Sequence, residues 1–214
     1  NKIYKTNYLA IIMKYFKLIY NLAILVIFIL GILKLIQKEY YIAFIWIIFV
    51  PVLMLLPRNL YKIPWINQKY NKNLIRLFEI FILILLIIGA SLPLGLKYIP
   101  GDIDSYFHFF NAIFYTLIWA IFYYVIKNKI TKKEIKKTEI MIFAFIFNVL
   151  FGVIFWEKFQ YFNDKIFGTQ MFFDYFQNAN FDSMLDQIFG TLGTIFGSCL
   201  IYFKFDNWIN KWRK

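Results

Sequence analysis

Long apolar runs separated by short basic segments set the pattern of this chain. A helix that crosses a bilayer needs about 20 mostly apolar residues. Runs that approach this length are Ile19–Ile36, Tyr40–Leu56, Leu74–Leu96, Ser105–Ile126, Ile140–Phe159 and Asp182–Phe203. Each is predicted to form one transmembrane helix. Pro51 interrupts the second run, and Pro57 is expected to end it, because proline lacks the helix N–H and clashes with the preceding turn. Pro93 falls near the outer end of the third run. The expected fold class is all-α: a polytopic membrane helix bundle of about six transmembrane helices.

The basic residues orient this bundle. Lys2, Lys5, Lys14 and Lys17 precede the first run, and Arg58, Lys62, Lys69, Lys72 and Arg76 cluster between the second and third. Lys127, Lys129, Lys132, Lys133, Lys136 and Lys137 lie between the fourth and fifth, and Lys204, Lys211, Arg213 and Lys214 follow the sixth. The alternate connections carry few cations. Cytoplasmic loops are enriched in Lys and Arg, so both termini are expected in the cytoplasm. The net charge of +12 then reflects topology, and no nucleic-acid partner is expected.

Composition agrees with a membrane setting. The chain is 61% hydrophobic and 23% aromatic, with 27 Phe and 16 Tyr. A soluble surface with that content would carry large apolar patches, whereas lipid covers them. The expected location is the cell membrane, multi-pass, with membrane lipid as a partner. Trp46, Trp119 and Trp156 suit span ends, and Trp65, Trp208 and Trp212 suit a cytoplasmic interface. One membrane domain over 1–214 is expected: three apolar spans in 1–96, three spans with a polar cluster in 97–203, and an interfacial tail in 204–214. The tail reads as a short amphipathic helix on the anionic inner leaflet. No cleavable signal peptide is expected, and Met13, followed by Lys14 and Lys17, is a candidate start. Cys199 reads as a small core residue.

Ionisable groups at membrane depth are costly and are kept where they have partners or a task. Asp104 and His108 are four apart, on one face of the fourth helix. Glu157, Gln160 and Asp164 share a stripe if the fifth helix continues past its apolar run, with Asp164 about 20° and Gln160 about 60° from Glu157. Acceptors at a helix C-terminus oppose the helix dipole, so a cation, a proton or neighbouring donors must compensate; Lys158 and Lys165 are the structural alternative. Asp182 suits the N-cap of the sixth helix, and Asp186 lies one turn inside it. Gly190, Gly193 and Gly197 continue that stripe and allow a second helix to approach closely. The segment between Asn163 and Phe181, with Asp174 and six aromatics, is expected to fold back as a protected loop or lid. There is no Walker loop, dinucleotide fingerprint, HExxH or Gly-x-Ser-x-Gly, and one histidine excludes sites that need two.

From Asp104 onward the chain resembles the YjdF-like family of bacterial inner-membrane proteins and, more remotely, the VanZ-like family. The resemblance rests on Asp104-x-x-x-His108, Trp156-Glu157-x-x-Gln160, Asp164 with Phe167-Gly168-Thr169, Asp182-Ser183-Met184-x-Asp186, and Gly190-x-x-Gly193-x-x-x-Gly197. It covers roughly residues 95–203. It implies a helical membrane fold with one polar cluster; the family has no established activity, and the VanZ-like branch is associated with glycopeptide resistance and the cell envelope. YjdF-like proteins often carry a further acid where Gln160 stands here, which argues against a dense carboxylate cage.

Three functions fit. One is a site at the outer face that binds or acts on an envelope component such as a lipid-linked precursor. Its candidate catalytic residues are His108, Glu157 and Asp186. Its candidate ligands for a divalent metal ion are Asp104, His108, Glu157, Asp164, Asp182 and Asp186. The second is a non-catalytic scaffold whose polar residues tie helices together. The third is a proton- or ion-coupled transporter using Glu157 and Asp186, against which the acids' position near one surface counts.

Overall fold

A computed structural model describes residues 2–91, 103–131, 135–168 and 179–213. Pro93 and the aromatic segment between Gly168 and Ala179, with Asp174, lie outside the described residues. The regular elements are helical, as the apolar runs require: a backbone in lipid must satisfy its hydrogen bonds internally. Among the described residues, five stretches are long and apolar enough to cross a membrane, namely Tyr15–Ile36, Tyr40–Tyr61, Asp104–Ile130, Lys137–Phe167 and Phe181–Trp212. The third predicted run is also helical over its described part, in Lys72–Ser91. The chain divides into two compact units, residues 1–83 and 84–213.

The first unit begins with α1 (Lys2–Ile36). A tight turn follows, with Lys38 in the left-handed region (φ 62°) and Lys34 paired to Glu39 at 2.9 Å. The chain then returns through α2 (Tyr40–Phe44), a π-helical stretch (Ile45–Phe49) and α3 (Val50–Tyr61). The wider π turn sits just before Pro51, where a regular α-helix would lose a backbone bond. A Cβ on Gly31 would lie 2.6 Å from Ile47 Cγ1, so this glycine lets α1 and the π stretch meet.

Pro57 does not end its helix, contrary to the sequence expectation: α3 continues to Tyr61 with Pro57 buried inside it. Tertiary bonds on both sides hold the turn. The Tyr20 hydroxyl donates to the Met54 carbonyl at 2.8 Å, and Arg58 donates to Glu79 and, at 2.9 Å, to Asn21. Two more helices complete the described order here, α4 (Pro64–Lys69) and α5 (Lys72–Ser91).

The second unit carries the polar residues. It contains α6 (Ile103–Ile130), α7 (Lys137–Phe147), a π-helical stretch (Asn148–Ile154), α8 (Phe155–Phe167) and α9 (Ala179–Trp212). Helices α6 and α9 run parallel, since Gly193 meets Phe109, Gly197 meets Ile113 and Thr116, and Phe205 meets Tyr124. The α7–α8 run is antiparallel to both: Glu139 bonds Tyr123, Phe147 packs on Trp119 and Asn148 reaches Ala112.

The glycine stripe makes these contacts close. A Cβ on Gly193 would lie 2.1 Å from the Phe109 carbonyl oxygen, and one on Gly197 would lie 3.0 Å from Thr116 Cβ. Gly190 instead faces Val153, in the π stretch. Without a hydrophobic drive between helices in lipid, such close approach and buried hydrogen bonds supply the association. Asn148, fully buried, provides one such link: its Nδ2 donates to the Ala112 carbonyl at 3.0 Å and to Thr194 Oγ1 at 2.8 Å.

The segment read from the sequence as a separate tail helix is the last part of α9, which runs unbroken to Trp212. Phe205, Ile209 and Trp212 are buried, and Arg213 lies over the Tyr124 ring of α6. Packing against α6 therefore extends the helix beyond the apolar run that marked its expected end.

Candidate functional site

Three helices deliver the cluster. The first turns of α6 carry Asp104, Ser105 and His108; α8 carries Glu157; the start of α9 carries Asp182 and Asp186. The parallel arrangement of α6 and α9 brings their N-terminal turns side by side. The antiparallel α7–α8 run returns Glu157 to the same end. At the opposite end Lys127 pairs with Glu139, and Lys137 lies 3.7 Å from Asp206.

His108 stands at the centre. Its Nε2 lies 3.4 Å from Asp186 Oδ2 and 4.0 Å from Asp104 Oδ1. Its Nδ1 lies 3.8 Å from Glu157 Oε1. Asp186 is fixed from the other side by Ser105, whose hydroxyl donates to Oδ1 at 2.8 Å. Glu157 and Asp186 are almost fully buried, at 3% and 4% exposure, so neither charge is screened by bulk water.

Ligand-capable atoms of Asp104, His108 and Asp186 all lie within 4.8 Å of one another. Glu157 Oε1 has no hydrogen-bond partner among the described residues. A neutral imidazole offers one N–H and one acceptor, yet carboxylates flank both ring nitrogens. Three carboxylates around one imidazole exceed the positive charge the ring supplies. Protons shared in the cluster or a bound cation would balance them.

The remaining sequence candidates fall around this group. Asp182 is buried one turn before Asp186, and lies in the first turn of α9 rather than at its cap, because the helix starts earlier, at Ala179. A carboxylate there still faces the favourable end of the helix dipole. The stripe predicted past the fifth apolar run is helical: α8 continues through Asp164 and closes at Gly168 in the left-handed conformation (φ 64°). Glu157 and Gln160 of that stripe are buried, as is Asn163, which the predicted stripe did not include. Asp164 is partly exposed and lies outside the metal-capable group. Lys158 forms no ion pair among the described residues; Glu157 is hydrogen-bonded by Ser183 and has His108 Nδ1 3.8 Å from its Oε1.

Sequence reasoning missed Ser105, Asn148 and Thr194. Serine, asparagine and threonine are common in helices, and nothing in their spacing marks them as partners across helices. It also missed a cleft of about 650 Å³ between α8 and α9. Glu157 lines it with Lys158, Ser183 and Gln187 on the polar side, and Met184, Ile188 and Leu192 form its apolar wall.

Residues 17–207 match the DUF2238 family, described as a predicted membrane protein. The chain belongs to that family. Membership and five apolar helices together make this DUF2238 protein a multi-pass membrane protein. No curated protein and no solved structure matches it significantly.

Proposed function

We propose that Asp104, His108 and Asp186, with Glu157 beside them, form a metal-capable polar site at the outer membrane face that binds or acts on a cell-envelope or lipid-linked component. The observation that carries this reading is the convergence of three carboxylates from three helices on the one imidazole ring of His108. One imidazole and two carboxylates offer a mixed nitrogen and oxygen donor set, suited to Zn²⁺ or Mn²⁺. Glu157, held near the ring but without a hydrogen-bond partner on Oε1, is placed to act as a general base. The lysine-rich opposite end supports an outer placement, by the positive-inside rule. The narrower resemblance to YjdF-like and remotely VanZ-like proteins points the same way, toward the envelope.

Metal analysis of the purified protein tests the reading. Bound Zn²⁺ or Mn²⁺ near one per chain is expected, falling at least tenfold in His108→Ala and Asp186→Asn. Equal metal content in parent and variants would refute it. The tie from Ser105 to Asp186 favours one rival, a scaffold in which the cluster only joins α6 to α9. In that case Asp186→Asn, which can still accept from Ser105, would leave any cellular phenotype intact.

A further inference from the structure

The cleft between α8 and α9 has a feature the cluster does not explain. It is amphipathic along its length and open to the side of the bundle. Met184, Ile188 and Leu192 stand four residues apart on one face of α9, each close to half exposed. They form an apolar ridge about 12 Å long. Ser183 and Gln187 occupy the neighbouring face, joined by a bond from Gln187 Nε2 to Ser183 Oγ at 3.2 Å. Across the cleft, α8 presents Lys158, exposed and in no ion pair among the described residues. Glu157, next to it in sequence, also lines the cleft, where Ser183 bonds it, and its Oε1 lies 3.8 Å from His108 Nδ1.

We infer that this cleft is a lateral port for a phosphate-headed lipid, with the phosphate on Lys158 and one alkyl chain along the Met184–Ile188–Leu192 ridge. Charge complementarity selects the occupant. An exposed ammonium beside an apolar groove fits an anionic head on an alkyl chain, and lysine binds phosphate as a point charge. Gln187, whose Nε2 donates one N–H to Ser183, has a second N–H and a carbonyl oxygen for ester or hydroxyl oxygens next to the phosphate, while the Ser183 hydroxyl is held by Glu157. A lipid seated this way brings its head to Glu157 without crossing the bundle. The inference deepens the function proposed above and rests on it for its consequence, because Glu157 joins the port to the cluster.

The test uses the full chain in phosphatidylcholine liposomes doped with diazirine-acyl phosphatidylglycerol, followed by peptide mapping after photolysis. The control is a diazirine-acyl diacylglycerol with the same chains and no phosphate. Labelling by the phosphate probe at Met184–Leu192 should exceed labelling at Ile142 and Ile146, which are as exposed on α7, by about fivefold. Lys158→Glu should remove that preference, as should Leu192→Trp, which narrows the groove without changing charge. The diacylglycerol probe should show no such preference and no response to Lys158→Glu. Equal labelling of α7 and α9, or labelling by the phosphate probe that ignores Lys158→Glu, would overturn the port. Metal content is read on the same samples. Loss of the labelling preference with metal binding intact sinks the port alone, and preserved labelling with no metal at the cluster sinks the metal site alone.

Discussion

Gly193→Ala isolates the contact that holds α9 against α6. The new methyl would sit 2.1 Å from the Phe109 carbonyl oxygen and 3.1 Å from Ala112 Cβ. The first neighbour is backbone and cannot rotate away. Ordinary contact begins near 3.4 Å, so the helices must separate locally by about 1.3 Å. Overpacking of this kind costs about 1–3 kcal/mol, and a backbone clash belongs at the upper end. Asp186 lies two turns earlier on the same face of α9, so the displacement carries to the cluster. There it lengthens the 2.8 Å bond from Ser105 and the 3.4 Å approach to His108. Gly190→Ala is the matched control: its methyl meets only the Val153 side chain, at 3.0 Å, and a small shift of that side chain relieves it. Thermal unfolding in detergent and metal content, measured on both variants, give the readout. Gly193→Ala should lower the midpoint clearly and reduce bound metal, with Gly190→Ala near the parent in both. A Gly193→Ala protein as stable as the parent would show that α6 and α9 do not meet in this way.

Further perturbations address the buried polar links. Asn148→Leu and Thr194→Val each remove one end of the bond between the π stretch and α9; a double-mutant cycle should give a coupling of about 0.6–2 kcal/mol. Additive effects would mean that the bond contributes nothing. In the first unit, Arg58→Met leaves Glu79, only 6% exposed, without its cation. Breaking such a pair from one side costs about 3–5 kcal/mol, so adding Glu79→Gln should restore much of the lost stability. A double variant no more stable than Arg58→Met alone would argue against that account.

The cluster was partly legible before any coordinates. Spacing of four placed Asp104 with His108, and Asp182 with Asp186, because residues one turn apart share a helix face. The glycine spacing after Asp186 likewise marked a close helix contact. Neither pattern indicated which helix each stripe would meet. Gly193 and Gly197 turned to α6, while Gly190 turned to the π stretch. Local propensity makes Pro57 a terminator, and the tertiary bonds of Tyr20 and Arg58 override it. The π turns escaped notice because an inserted residue in a helix leaves no mark in a uniformly apolar run.

The sequence by itself determined that this protein lives in a membrane as a set of apolar helices, and which residues are too polar for lipid. Hydropathy and charge act on each segment independently, so both can be summed along a chain. The tertiary structure alone decided that Asp104, Glu157 and Asp186 come together around His108, that Ser105 bonds Asp186, and that a cleft opens beside Glu157. Those facts depend on the parallel packing of α6 with α9 and the antiparallel return of α8. That packing is set by where backbones approach closely and where buried donors find acceptors on another helix, which no single segment encodes.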